Sequence, residues 1–243
     1  MKTRILTAII ALPVIIASII LPLWWPQTVW IFVGVAALAL TAGLFEFYSL
    51  TKKLELKADA AIGYLGAAAL FVGFVFDAPA KAPDLLLATL AAFTIILLIS
   101  QTFRFKADFS KMLTGIGVTM LGVVYVSFMG GFLVSIRTGF ENIPSLSTHL
   151  LAYFFLVIFA SDIGAYFAGR AFGKHKLAPA ISPGKTVEGL IGGLVFATGG
   201  AALATWWFFP ELPYKCSIPL AMVLAIVGVL GDLAESAMKR GSK

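Results

Sequence analysis

Cysteine is all but missing from this chain. Cys216 is the only one, so no disulfide can form within it. As a lone thiol, Cys216 reads as a passive loop or helix residue. Histidine is nearly as scarce. His149 and His175 stand far apart, and no H-x-x-x-H or C-x-x-C spacing occurs, which argues against a zinc site. Charge is the third shortage. Only 12% of residues are charged and 60% are hydrophobic, against about 25% and 45–50% in soluble domains. A soluble core at this length cannot hide so much apolar surface, so lipid must solvate part of it. Acidic residues are the scarcer sign, 12 against 18 Lys and Arg. The basic excess is not a nucleic-acid footprint, because no basic stripe carries interleaved aromatics.

What the chain has instead is long apolar runs. A membrane-spanning helix needs about 20 apolar residues. Runs of that kind predict membrane helices at about 5–23, 28–47, 60–76, 84–101, 112–134, 149–169, 186–209 and 217–236. The expected fold class is therefore all-α, a polytopic transmembrane bundle of about eight membrane helices. The basic start could open a cleaved signal peptide. However, the run from Ile5 to Leu23 is long, no small-residue cleavage site follows it, and Trp24 and Trp25 suit an interfacial anchor. It reads as a retained first helix, with Pro13 as a tolerated kink site. The longest non-helical stretches are expected at 102–111, 136–148 and 170–185.

Lys and Arg orient the bundle. With the N-terminus inside, 15 of the 18 basic residues fall on the inner side and only Lys81, Arg137 and Lys215 fall outside. The excess charge is thus a positive-inside signal plus attraction to anionic lipid. The chain reads as an integral protein of an inner or cytoplasmic membrane. Its organisation reads as N-terminal membrane helices, 1–135, and C-terminal membrane helices, 136–243, in one integral unit.

Ionisable residues at membrane depth are costly and usually functional. Glu46, Asp162, Glu188, Asp232 and Glu235 all fall toward the cytoplasmic ends of their helices on this topology. A transporter more often places such groups near the midplane. The segment Ser182-Pro183-Gly184-Lys185-Thr186-Val187-Glu188-Gly189 is the most informative. Ser182 suits an N-cap and Pro183 a first helical position, which would leave free N–H groups beside Lys185 as an anion site. The Gly-Lys-Thr triplet is not a P-loop, because Pro179 stands where that pattern needs glycine and no buried strand precedes it. Gly189 and Gly193 permit close helix contact. On the last helix, Asp232, Glu235 or Ser236, and Lys239 share one face. Asp162, Tyr166 and Gly169 share another. The last-helix set could hold a metal ion and the phosphate it neutralises, or only a helix-end salt bridge, and Asp162 supplies a further acidic point. Oxygen ligands of this kind favour Mg²⁺.

These residues carry a resemblance. Ser161-Asp162-Ile163-Gly164-Ala165-Tyr166, Gly169-Arg170, Phe172-Gly173-Lys174-His175-Lys176, the Ser182–Gly189 segment, Gly231-Asp232-Leu233-Ala234-Glu235-Ser236 and Lys239-Arg240 resemble the phosphatidate cytidylyltransferase family. Phe45-Glu46-Phe47-Tyr48 in the N-terminal half is also similar to it. The resemblance implies CTP and phosphatidate as substrates in the membrane lipid, Mg²⁺ as cofactor, CDP-diacylglycerol and pyrophosphate as products, and a cytoplasmic active face. It implies a metal at Asp232 and Asp162. Lys185, Asp232, Lys239 and Arg240 become the catalytic candidates. Ser182, Thr186, Glu188 and Arg170 become substrate-binding ones, with Glu188 orienting Lys185 or joining the metal shell. In the family a Lys-Asp pair, a His-Gly-Gly stretch and an Asp-Arg pair follow the Lys-Arg, whereas this sequence stops at Gly241-Ser242-Lys243. The expectation is a C-terminally truncated member with little activity of its own. A CTP-dependent lipid-alcohol kinase, a transporter of an anionic solute and a non-catalytic scaffold are the rival readings. Assembly into a homo-oligomer is left open.

Overall fold

The structure is a computed structural model that describes residues 2–77, 84–104, 111–140 and 143–242. Its helices are α1 (Lys2–Ile20), α2 (Val29–Lys53), α3 (Ala60–Phe76), α4 (Asp84–Arg104), α5 (Met112–Gly122), α6 (Met129–Thr138), α7 (Pro144–Phe172), α8 (Val187–Trp207) and α9 (Tyr214–Gly241). A π-helical stretch, Val123–Phe128, joins α5 to α6 in one continuous rod. Among the described residues, six rods are long and apolar enough to cross a membrane, and shorter apolar stretches run over Ala11–Leu23 and Ala60–Phe76. The chain is a polytopic helical membrane protein, as its composition demands.

Two expectations need correcting. The stretch 136–148 is largely helical, because α6 runs on to Thr138 and α7 begins at Pro144. The stretch 170–185 holds a small antiparallel hairpin, β1 (Lys176–Ala178) with β2 (Ser182–Thr186). Pro13 leaves α1 helical throughout. The next two prolines, Pro22 and Pro26, lie at the second and first positions of the short 3₁₀ turns Leu21–Leu23 and Pro26–Thr28. Trp24 and Trp25 on that turn are 66% and 62% exposed, as interfacial anchors are.

The chain forms two compact units, Met1–Thr148 and His149–Lys243. In the first, Leu70, Phe74, Leu86, Phe93, Leu97, Val123 and Val134 make the core. Glycines there receive aromatic rings. A Cβ at Gly66 would meet Phe93 at 2.2 Å, and one at Gly131 would meet Phe74 at 2.2 Å. The second unit contains most of α7, the hairpin, α8 and α9, and it carries the sequence motifs.

Candidate active site

The second unit is held together by close backbone approach. A Cβ at Gly192 of α8 would meet the Ala168 Cβ at 2.2 Å and the Gly164 carbonyl of α7 at 2.8 Å. A Cβ at Gly189 would meet the Ala165 carbonyl at 3.0 Å. The expected close contact of Gly189 and Gly193 is thus made with α7 of the same unit, as small-residue faces allow. At the far end of these helices, the Tyr153 hydroxyl donates to the Ser217 carbonyl at 2.5 Å. These contacts fix how α7, α8 and α9 meet, and so where their polar ends converge.

The hairpin carries the chain from α7 to α8. Lys176 pairs with Thr186 and Ala178 with Ser182. Ser182 is therefore not the helix cap, and Pro183 is not the first helical residue. Strand pairing keeps both extended, and the cap lies four residues later. Thr186 has extended backbone angles, and its Oγ1 accepts from the Gly189 N–H at 3.0 Å. The Val187 N–H donates to the His175 carbonyl at 2.9 Å. Two donors of the helix start are thus already used, and the start is not the open ring of N–H groups that the sequence suggested. Glu188 faces the hairpin base. Its carboxylate accepts from the His175 N–H at 3.2 Å and meets the ring Nδ1 at 2.6 Å.

A cavity of about 900 Å³ opens where the three helix ends and the hairpin meet. From α7 it is lined by Ile158, Ser161, Asp162, Ala165, Tyr166, Gly169 and Arg170, a helical i, i+3/i+4 stripe. From the hairpin and α8 come Leu177, Gly184, Lys185, Thr186, Gly189 and Leu190. From α9 come Ala225, Gly228, Val229 and Asp232. Lys185 Nζ lies 2.5 Å from Asp232 Oδ2 and donates to the Val229 carbonyl at 3.3 Å. Arg170 Nη1 donates to the Tyr166 hydroxyl at 2.8 Å. Asp162 lies within electrostatic reach of both Asp232 and Lys185. The result is a pocket with an apolar floor and a mouth bearing two cations and two acids. Such a mouth can receive a polyanion.

A family model described as "Cytidylyltransferase family" matches residues 2–243. A protein of Bacillus subtilis named phosphatidate cytidylyltransferase is 31% identical, over 99% of this chain and 84% of its own length. Proteins of the same name from Staphylococcus haemolyticus and Staphylococcus saprophyticus are 34% and 33% identical, each over 99% of this chain and 85% of their own lengths. The chain belongs to the cytidylyltransferase family.

In this cytidylyltransferase-family chain the expected site residues divide by position. Asp162, Arg170, Lys185, Thr186 and Asp232 line the cavity. Ser182, Glu188, Lys239 and Arg240 are not among its lining residues. Lys239 pairs with Glu235 one turn before it on α9, while Asp232 takes Lys185 as partner. Arg240 is exposed in the last turn of α9. Glu46 is exposed on α2, in the first unit.

Among the described residues no group of three or more His, Cys, Asp or Glu side chains could hold a metal ion. Asp162 and Asp232 are the two carboxylates that line the cavity, and Mg²⁺ is the ion whose ligand needs such a pair could serve. That ion takes one or two protein carboxylates and draws its other ligands from water and substrate phosphates. Most of the lining residues were not expected as site residues, among them Tyr166, which was placed on the Asp162 face and is the partner of Arg170, and Leu177, a wall of the hairpin. The i, i+4 spacing of Tyr166 and Arg170 was the available signal for the first.

Proposed function

We propose that this chain transfers the cytidylyl group of CTP to phosphatidate, giving CDP-diacylglycerol and pyrophosphate. The observation that carries the reading is the convergence of Asp162, Arg170, Lys185 and Asp232 on one cavity. In the proposed reaction a phosphate oxygen of phosphatidate attacks the α-phosphorus of CTP. A new P–O bond forms there, the bond to the bridging oxygen breaks, and its electrons leave with pyrophosphate. The nucleophile needs no triad, since a phosphate monoester has a second pKa of about 6 and is largely dianionic at neutral pH.

The obstacle is the repulsion of two anions. Lys185 and Arg170 answer it by presenting fixed positive charge at the mouth. Asp232 holds Lys185 in place before substrate arrives, and the Val229 carbonyl fixes the same ammonium from behind. Asp162 and Asp232 would hold Mg²⁺, which when bound supplies further neutralisation of phosphate charge. Thr186 keeps the hairpin and α8 in register, so that Lys185 points to the cavity. Ser182, Glu188, Lys239 and Arg240 lie outside the cavity lining and take no step in the proposed reaction. The Lys and Arg asymmetry supports a cytoplasmic active face in an inner or cytoplasmic membrane, where soluble CTP is at hand.

Product analysis tests the reading. Purified protein in detergent is given phosphatidate, Mg²⁺ and CTP labelled in the cytidine. Labelled CDP-diacylglycerol with one equivalent of pyrophosphate is the expected result. Labelled CDP with a newly phosphorylated lipid would mean a kinase instead. Family membership does not favour that kinase or a transporter.

A further inference from the structure

The first unit holds a second cavity, and a buried cation lines it. Arg137 sits in the last turn of α6 and is only 4% exposed. The sequence reading had placed it in an outer loop. Its Nη1 donates to Thr148 Oγ1 at 3.0 Å, and Thr148 Oγ1 in turn lies 3.2 Å from the Ile19 carbonyl, so one edge of the guanidinium is anchored. Nε and Nη2 are buried and, among the described residues, have no hydrogen-bond partner. Those two N–H groups lie on one edge of the planar guanidinium, the edge that grips two oxygens of a phosphate or carboxylate at once.

Arginine keeps its proton in proteins, and a buried charge without a partner is costly. Among the described residues that line the cavity of about 300 Å³ beside it, none carries a negative charge. Trp30, Phe76 and Phe140 make apolar walls. The Thr138 and Ser147 hydroxyls are within hydrogen-bond distance of main-chain carbonyls, at 3.1 Å from Val134 and 2.8 Å from Ile136. Among the described lining residues, the free guanidinium edge is thus the uncommitted hydrogen-bond donor. Pro22 and Pro26, on either side of the exposed Trp24 and Trp25, belong to the same wall. Exposed tryptophans of this kind mark the depth of lipid head groups.

We propose that this cavity is an oxyanion site in which Arg137 grips a phosphate group through Nε and Nη2. A phospholipid head group and a soluble phosphate share that chemistry. The site is separate from the cavity lined by Lys185 and Asp232, and it does not depend on the reaction assigned there.

The test follows thermal stability of the purified chain in uncharged detergent. Phosphatidylglycerol in mixed micelles and inorganic phosphate in buffer are titrated separately, with diacylglycerol as the uncharged control. The natural protein is compared with R137M, which removes the charge at similar volume. A saturable rise in Tm of about 5 °C in the natural protein, absent in R137M, is the expected result. A response to phosphatidylglycerol alone assigns a lipid head group. A response to inorganic phosphate as well assigns the general anion. Equal responses in the two proteins, no response to either anion, or a rise with diacylglycerol as large as that with phosphatidylglycerol overturns the proposal. Should R137M fail to fold, R137K takes its place. It keeps the charge but not the two-pronged edge, and its half-saturating concentration should rise about tenfold. An unchanged value in R137K also overturns the proposal.

Discussion

The two units treat their charges in opposite ways. In the first, Asp59 caps α3 and is enclosed by donors. Its Oδ2 accepts from Gln101 Nε2 at 3.0 Å and Ser100 Oγ at 3.1 Å, and Arg104 lies 3.3 Å away. The Asp59 N–H donates to Thr119 Oγ1 at 2.8 Å, and the Tyr48 hydroxyl donates to the Thr119 carbonyl at 3.1 Å. This network ties α2, α3, α4 and α5 together, and its acid spends its lone pairs inside the fold. In the second unit, Asp232 has Lys185 as its ion-pair partner and stays 58% exposed beside a cavity. An enclosed acid with several donors is an anchor. An exposed acid and cation at a cavity mouth can exchange each other for a ligand. The contrast is between polarity closed inside the fold and polarity left open at a cavity.

The sharpest way to break this comparison is at Asp232. Asp232→Asn should cut CDP-diacylglycerol formation by about 10²–10³, as loss of one preorganised charged group does. Its Tm should stay within about 2 °C of the natural value, because the side chain is largely exposed. A rate within threefold of the natural chain would remove Asp232 from the machinery.

Packing gives the next effect. Gly192→Leu should destabilise the second unit by at least about 1–3 kcal/mol, since even a Cβ there meets α7 at 2.2 Å. Loss of folded protein on size-exclusion chromatography would show it. In the first unit, Asp59→Ala should cost about 1–3 kcal/mol by leaving buried donors unpaired. Its activity per folded molecule should hold, and a specific loss of rate at full stability would make Asp59 more than an anchor.

Thr186→Val removes the α8 cap and should cost about 1 kcal/mol, with Thr186→Ser restoring most of it. Urea titration of both variants separates capping from packing. The smallest change is expected for Lys239→Met. Its half-exposed pair with Glu235 is worth about 0–1 kcal/mol. Its effect on rate should be well below that of Asp232→Asn, because Lys239 does not line the cavity. An equal loss of rate would mean that the end of α9 reaches the substrate.

The helical bundle was legible because its signal is local. A run such as Val29–Lys53 or Val187–Trp207 announces a membrane helix by length and apolarity alone. Asp162, Lys185 and Asp232 were legible as a set because charged residues in such runs are rare, and each lies near a helix end that returns to the same side. The hairpin was not legible. Its strands are short, mostly half-buried and interrupted by Pro183 and Gly184, so no alternation marks them. The cap followed the same limit. Ser182 and Thr186 are equally good caps by residue type, and pairing with Ala178 and Lys176 selects the second.

Composition, apolar run length and the spread of Lys and Arg by themselves determine that this chain is a polytopic helical membrane protein with its polar residues gathered near helix ends. Those properties depend on transfer between water and lipid, which each segment undergoes on its own account. Partners were decided only by tertiary structure. Glu188 binds His175, Lys185 binds Asp232 across 47 positions, and Arg137 is buried beside Thr148, which reaches back to Ile19. Hydrogen bonds and ion pairs act over about 3 Å, so which charge meets which is set by how the helices cross, and no stretch of local sequence contains that crossing.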